Sequence, residues 1–362
     1  MSGSDRAPVL GSAPRIAVVK LGALGDGVYA FPLVSALKAF RPAARLTWIV
    51  EARLRELPTL HPGVDEVVAL DTRAWRLALR RGRWREARRG FLDFTRAVAG
   101  RFDVAIDVQG LFKSGAAAWL TRAPVRVGFA ADDSRERGNA WLMTHHAPPA
   151  GRAHALDRNL GVLAALGAPI GPPVFEFAVP PAGEAWADAW EAANGGRADI
   201  GADVRLVAIH PGAGHPAKRW GLARCLALAE RLGASRGVRA AVIAGPEDRA
   251  AVDAAAAGMI AAPPTLGALA ALLRRCRLVV AGDTGPLHLA AALGRPTVAL
   301  YGPSDPILAA PVGTGHRVIK HPCPCGWVPG PFFNRRCPDA PCMTAIEVAE
   351  VVEAVESALA RD

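Results

Sequence analysis

An α/β fold, wound as strand–helix units in two successive domains, is predicted by three features of the chain. Short apolar runs alternate with longer helix-forming segments, the pattern of buried parallel strands joined by crossover helices. Glycine-rich loops follow several of those runs directly, at the carboxyl ends of strands where α/β proteins hold ligands. The alternation fades into His, Gly and Pro between 145 and 181 and then restarts.

Composition narrows the function. With 362 residues, 51% of them hydrophobic, the chain can fill two cores. A formal net charge of +10 points to an anionic partner: nucleotide, phosphorylated sugar, membrane surface or nucleic acid. Nucleic acid is the weakest of these, because the chain has two Tyr and no aromatic-studded basic segment of the single-strand-binding type. Met1 to Arg15 lacks the charged start and apolar core of a secretory signal. The uncharged stretch Leu160 to Phe175 is broken by Pro169, Pro172 and Pro173 and is too short to span a bilayer. A cytoplasmic protein resting on a membrane is expected. Six cysteines are too few and too unevenly placed for a disulfide scaffold.

In chain order, residues 1–14 read as a loose leader and Arg15–Lys20 as a strand. Leu21–Gly27 is a glycine loop, a helix runs to Phe40 with Pro32 near its start, and Arg45–Val50 is the second strand. The glycines at 22, 25 and 27 miss the G-x-G-x-x-G spacing, so the loop is no dinucleotide fingerprint. It does offer Asp26, readable as a helix cap or as a carboxylate facing a ligand. Residues 73–101 hold ten Arg interleaved with Trp75, Leu77, Trp84, Phe91 and Phe94. That pattern suits a basic amphipathic helix pair on an anionic membrane, or a solvated face with snorkelling Arg stems. Phe102–Gly110 is a strand entering a loop, Leu111–Leu120 a helix carrying Lys113, and Val125–Phe129 a strand. The polar loop Asp133–Gly138 brings Arg135 and Arg137.

The domain boundaries expected are 1–178, a linker at 179–200, and 201–362. In the second domain Arg205–Ile209 and Arg239–Ala244 read as strands. The loop His210–Trp220 offers Lys218 and backbone amides to a phosphate, and Glu247 on the next loop suits ribose hydroxyls. The pattern is sharpest at 278–301. A strand Leu278–Ala281 enters Gly282-Asp283-Thr284-Gly285, then a helix Leu287–Leu293 opened by Pro286, then a strand Thr297–Tyr301. A helix N-terminus of this kind is a ready site for a diphosphate. With parallel strands, these three loops gather at one sheet edge.

Lys20-Leu-Gly-Ala-Leu-Gly-Asp26, Asp107-Val-Gln-Gly-Leu-Phe-Lys-Ser114, His210-Pro-Gly-Ala-Gly214 with Lys218-Arg-Trp220, and Gly282-Asp-Thr-Gly-Pro-Leu-His-Leu289 together carry a resemblance over nearly the whole chain. The sequence resembles the ADP-heptose-dependent lipopolysaccharide heptosyltransferases of glycosyltransferase family 9, and its first half is most similar to heptosyltransferase I. The resemblance implies a GT-B fold: two Rossmann-like βαβ domains facing across a cleft, acceptor-binding in the first and nucleotide-sugar-binding in the second. It implies inverting transfer of heptose from ADP-L-glycero-D-manno-heptose to the Kdo of a lipid A–Kdo acceptor, without a catalytic metal or other cofactor. The place of work it implies is the cytoplasmic face of the inner membrane of a Gram-negative bacterium.

Carried over residue by residue, Asp26 is the general base and Lys218 the counter-charge to the departing ADP. Thr284 and Gly285 give backbone N–H groups to the diphosphate, Asp283 holds heptose hydroxyls, and Glu247 binds the ribose. Leu287 and His288 complete the donor set, His288 orienting phosphates or packing under the loop. Arg73, Arg76, Lys113 and Arg135 bind Kdo carboxylates or lipid A phosphates, whose geometry an Arg fork matches. Cys323, Cys325, Cys337 and Cys342 precede a last helix, Ala345–Ala360, expected to pack back across the cleft. They are reduced thiols or a structural metal site, the latter a trait of protein-modifying relatives. Transfer to a later core heptose or a protein hydroxyl, a non-catalytic nucleotide-sugar-binding module, and a nucleotide-sugar epimerase are the alternatives.

Overall fold

The computed structural model describes residues 7–151, 153–194, 204–245, 259–323 and 340–360. The chain divides into two compact units, Met1–Ala178 and Val179–Asp362. The first holds strands β1 (Arg15–Val19), β2 (Arg45–Glu51), β3 (Glu66–Leu70), β4 (Val104–Asp107), β5 (Val125–Gly128) and β6 (His145–His146). They form one parallel sheet in the order β3-β2-β1-β4-β5-β6. The second holds β7 (Arg205–His210), β8 (Val238–Ile243), β9 (Met259–Ala261), β10 (Leu278–Gly282), β11 (Thr297–Tyr301) and β12 (His316–Lys320), ordered β12-β11-β10-β7-β8-β9. Numbered within its own unit, each sheet reads 3-2-1-4-5-6, the Rossmann order. The chain builds outward to one side of its first strand and then returns to build on the other. The switch points therefore lie between β1 and β4, and between β7 and β10. There the outgoing loops diverge and leave room for a ligand.

The central strands are apolar on both faces because helices cover both. Ile16, Ala17, Val18 and Val19 of β1 are all buried, as is every residue of β4 and β10. In the first unit α1 (Leu24–Val28) and α2 (Phe31–Phe40) follow β1, with Pro32 in the first turn of α2 where its missing N–H is harmless. Next come α3 (Glu56–Thr59), the pair α4 (Thr72–Arg80) and α5 (Trp84–Val98), α6 (Phe112–Leu120) and α7 (Ala155–Gly161). The unit's final segment is tied down: Ala178 N donates to Leu60 O at 2.7 Å, and Ser35 Oγ to Glu176 Oε2 at 2.7 Å.

The stretch expected as a linker contains helix α8 (Pro181–Ala193). It lies so close to α10 (Leu266–Arg275) that a Cβ on Gly183 would meet the Gly267 carbonyl at 2.6 Å. Arg275 of α10 joins Glu184, Asp188 and Glu191 of α8. The remaining helices are α9 (Leu222–Gly233), α11 (Gly285–Ala292), α12 (Pro306–Ala309), α13 (Pro341–Thr344) and α14 (Val348–Leu359). The terminal helix packs on its own unit. Val351, Ala354, Val355 and Leu359 of α14 recur at helical spacing and are buried in the second unit's own core, with Leu228 and Leu232 of α9 and Val280 of β10. Its apolar stripe is thereby committed to the second sheet. Among the described residues no helix is long and apolar enough to cross a membrane.

Candidate active site

At the first switch point the loops after β1 and β4 are fastened together. Lys20, buried at the end of β1, donates from Nζ to Val108 O at 2.7 Å, and Gly22 N donates to Gln109 Oε1 at 3.1 Å. Burial pushes the Lys20 amine down to about 8; the Asp26 and Asp107 carboxylates oppose that shift and Arg135 adds to it. Asp26 lies in the short helix α1, its side chain 23% exposed, with Oδ2 3.0 Å from Arg135 Nη2. That pairing spans 109 residues. Gly110 makes it possible, because its φ of +72° and bare Cα let the 134–136 backbone settle on it. A Cβ there would meet Arg135 N at 3.2 Å, and Glu136 N donates to Gly110 O at 3.0 Å.

Asp107 is the buried hub of the β4 loop. It accepts from Gln109 N at 2.8 Å, Gly110 N at 3.3 Å, Ser114 Oγ at 2.8 Å and Asn139 Nδ2 at 2.5 Å. Burial pushes the pKa of its carboxyl up despite these four donors. This explains the Asp-x-Gln-Gly spacing as loop architecture, a role that residue types alone did not suggest. One layer outward, Glu51 at the end of β2 accepts from Lys113 Nζ at 2.8 Å and from the Thr72 hydroxyl. It draws the start of α4, with exposed Arg73 and Arg76, beside the start of α6. The four residues expected to bind the acceptor thus all sit at the carboxyl edge of the first sheet. Lys113 and Arg135 already have carboxylate partners, whereas Arg76 makes a 3.4 Å contact from Nε to the Thr72 carbonyl.

The second switch point repeats the plan with a tighter clamp. Lys218, in a 3₁₀ turn after β7, reaches Asp283 Oδ2 at 2.5 Å, and His288 Nε2 meets Asp283 Oδ1 at 3.1 Å. The Asp283 side chain is 10% exposed. Burial alone would raise its pKa, but the His288 hydrogen bond and the Lys218 charge outweigh this and hold it far below the usual carboxylate range. Gly282 permits the close approach, since a Cβ there would lie 2.8 Å from Lys218 O. His288, 5% exposed, therefore braces the carboxylate from beneath.

Helix α11 starts at Gly285 with Thr284 as its N-cap, yet the Thr284 side chain makes no cap bond. Its Oγ1 is buried without a hydrogen-bond partner among the described residues. The His288 N to Thr284 O bond, 3.3 Å, is the first of the helix, so the N–H groups of Gly285 and Leu287 precede it. Leu287 can serve a ligand only through that N–H, because its side chain is fully buried against Ala281, Ala299 and Tyr301. Ser304, on the loop after the neighbouring β11, also buries an unpartnered hydroxyl; nothing in its sequence context singled it out.

Glu247, Cys325 and Cys337 lie outside the described residues. Cys323 is partly buried and Cys342 fully buried. Among the described residues no group of three or more His, Cys, Asp or Glu is arranged to hold a metal.

Two Rossmann-order sheets in succession, with a cation-flanked helix N-terminus at one switch point, make a two-domain α/β protein suited to hold an anionic nucleotide. Residues 91–326 match glycosyltransferase family 9 (heptosyltransferase). The lipopolysaccharide heptosyltransferase 1 of Pseudomonas aeruginosa is 32% identical over 89% of this chain and 87% of its own. The chain belongs to glycosyltransferase family 9. Among solved structures it is similar to the family 9 glycosyl transferase of Veillonella parvula, with a TM-score of 0.80, 22% identity and 99% and 100% of the two chains covered. It is also similar to E. coli heptosyltransferase WaaC with ADP, with a TM-score of 0.73, 23% identity and 95% and 99% covered.

Proposed function

We propose that the protein is an inverting heptosyltransferase of lipopolysaccharide inner-core synthesis, moving heptose from ADP-L-glycero-D-manno-heptose to the Kdo of a lipid A–Kdo acceptor. It works at the cytoplasmic face of the inner membrane of a Gram-negative bacterium. The observation that carries the donor half is the second switch point: an unpartnered Thr284 hydroxyl, free N–H groups at Gly285 and Leu287, and the Lys218 ammonium converge on one helix start. These are the donors a diphosphate takes. The name shared by the curated Pseudomonas and E. coli relatives, lipopolysaccharide heptosyltransferase 1, supports the acceptor.

In the reaction Asp26 takes the proton of the attacking Kdo hydroxyl as its oxygen bonds to the anomeric carbon. The bond from that carbon to the diphosphate oxygen breaks on the opposite face, and ADP leaves with the electron pair. Inversion follows from the single displacement. Lys218 and the amides of α11 balance the charge growing on the diphosphate, which leaves no part of the electrostatic work to a divalent cation. Arg135 releases Asp26 as an acceptor carboxylate or phosphate arrives to compete for its guanidinium. Arg73, Arg76 and Lys113 extend that anion-binding edge, Asp283 receives heptose hydroxyls on its remaining lone pairs, and Glu247 holds the ribose.

The test is incubation of the purified protein with ADP-heptose, in EDTA, against Kdo-bearing and heptose-bearing lipid A acceptors, read by mass spectrometry. One heptose gained on the Kdo acceptor is the expected result. Gain only on heptosylated acceptors or on a protein overturns the acceptor. An altered sugar from donor alone makes the enzyme an epimerase, and activity only with added Mg²⁺ overturns the role of Lys218.

A further inference from the structure

The helices α4 and α5 form an antiparallel hairpin that most of the site does not need. Its base is anchored: Trp75 meets Phe91 at 6.0 Å and Phe94 at 6.2 Å between ring centroids, and Phe94 and Val98 belong to the first unit's core. Gly90 is part of that anchor, since a Cβ there would strike Trp75 Nε1 at 2.3 Å. Beyond the base the packing stops. Of residues 76–89 only Ala78 and Ala87 are buried, and the other twelve are exposed. Small residues bring the two helices together, and Gly82, with φ +70°, ends α4 in the left-handed conformation.

The exposed portion is not an ordinary soluble surface. Residues 76–89 hold seven Arg against a single acid, Glu86. Trp84, at the tip, is 69% exposed, and Leu77, Leu79 and Phe91 are exposed as well. The order along each helix matters. Arg73, Leu77 and Arg80 are spaced i, i+4, i+7 on α4, and Trp84, Arg88 and Phe91 have the same spacing on α5, so arginines and apolar side chains share a face. A solvated helix separates the two classes. Side chains at a bilayer interface mix them, with guanidiniums on phosphates and Trp at headgroup depth.

We propose that the tip of the α4–α5 hairpin, Arg80 to Arg89 with Trp84, is the element that docks this enzyme on an anionic bilayer. Its partner is the headgroup layer of the membrane, distinct from the acceptor that Arg73 and Arg76 address nearer the sheet. The inference rests on the membrane setting proposed above, and it adds which part of the chain makes the contact.

Vesicles without any acceptor test it. The full-length protein should co-float with phosphatidylcholine–phosphatidylglycerol vesicles at low salt, stay free of pure phosphatidylcholine vesicles, and dissociate as salt rises. Arg80→Ala/Arg85→Ala/Arg88→Ala/Arg89→Ala should weaken binding at least a hundredfold, while the matching Lys replacements largely keep it. Trp84→Ala should weaken it about tenfold. Turnover on a soluble, delipidated acceptor should be unchanged in all three, and that assay separately reports failure of the heptosyltransferase reading. Anion-independent or absent binding by the wild type overturns the proposal, as does undiminished binding by the quadruple Ala variant. Loss of soluble-acceptor turnover in these variants overturns it in favour of an acceptor or folding role. Tighter binding to a single-stranded oligonucleotide than to the vesicles, lost in the same variant, would make the partner nucleic acid instead.

Discussion

Two carboxylates occupy comparable places in the two domains, and the fold treats them oppositely. Asp26 and Asp283 both lie on switch-point loops, and each meets a cation that comes from far along the chain, Arg135 or Lys218. Asp26 is the looser of the two. It is 23% exposed beside an Arg that is itself 34% exposed, so an entering anion can draw the guanidinium away. Asp283 is buried and gripped from two sides, by Lys218 and His288. A proton acceptor must be reachable and able to change partners, whereas a scaffold must not. In the proposed mechanism the same residue type serves as base in one domain and keystone in the other, and burial decides which.

The sharpest way to break this comparison is to neutralise each carboxylate in turn. Asp26→Asn should lower kcat by about 10²–10⁴ while leaving ADP affinity, measured by calorimetry, almost unchanged. Its effect on the denaturation midpoint should be small, because a half-open pair contributes about 0–1 kcal/mol. Asp283→Asn should do the reverse in its main effect. It leaves the Lys218 charge without its partner in a buried setting and should cost about 3–5 kcal/mol of stability, read by chemical denaturation. Equal stability losses in both variants would erase the distinction between base and keystone. The Asp283 contribution also has a pH signature. Its pKa is depressed on folding, so the stabilisation is present above the ordinary value of 3.8 and fades as pH falls below it.

Lys218→Ala separates the clamp from the counter-charge. If the ammonium both holds Asp283 and receives the diphosphate, ADP binding should weaken by about 1.5–3 kcal/mol, the value of a charged hydrogen bond, along with the rate. Unaltered ADP binding with a loss of stability alone would reduce Lys218 to a structural partner of Asp283.

How much of this the sequence disclosed depends on the kind of interaction. The interior strands β1, β2, β4, β7, β10 and β11 were legible because they are buried on both faces and read as apolar runs. The edge strands β3 and β12 were not, since their burial is patchy and Glu66, His316, Arg317 and Lys320 interrupt them. Helix α8 was hidden by its prolines and glycine, which read as linker chemistry although Pro180 and Pro181 merely open the helix. In the site, Asp26 and Asp283 stood out from their glycine loops. Arg135 and Lys218 stood out as well, but their pairing with these carboxylates did not, because they are 109 and 65 residues away and meet them through the switch-point topology. Leu287 belongs to the donor set that the resemblance implies, but its side chain faces the core and leaves only the backbone for that task. Nothing in the residues around Lys20 announces that its amine is buried.

That buried amine supplies the smallest effect and a last contrast between the domains. Lys218 is partnered by a carboxylate at 2.5 Å, whereas Lys20 donates to a neutral carbonyl, Val108 O, at 2.7 Å. Burial consequently dominates at Lys20 and lowers its amine from the ordinary 10.5 to about 8. Between those two values the unfolded chain binds a proton that the folded chain does not, so this group makes stability rise with pH across that window and leaves it flat below. From pH 7.5 to 9.5 the gain should be about 2 kcal/mol, at 1.36 kcal/mol per unit of displacement. Lys20→Met keeps the length of the side chain and removes the titration. The measurement is therefore the difference between wild type and Lys20→Met in denaturant midpoint at the two pH values, which cancels every other group that titrates alike in both proteins. A wild type that gains no more than the variant would mean that the Asp26 and Asp107 carboxylates compensate the Lys20 charge as fully as Asp283 compensates Lys218. The two switch points would then be electrostatically alike, differing only in how far each is open to solvent.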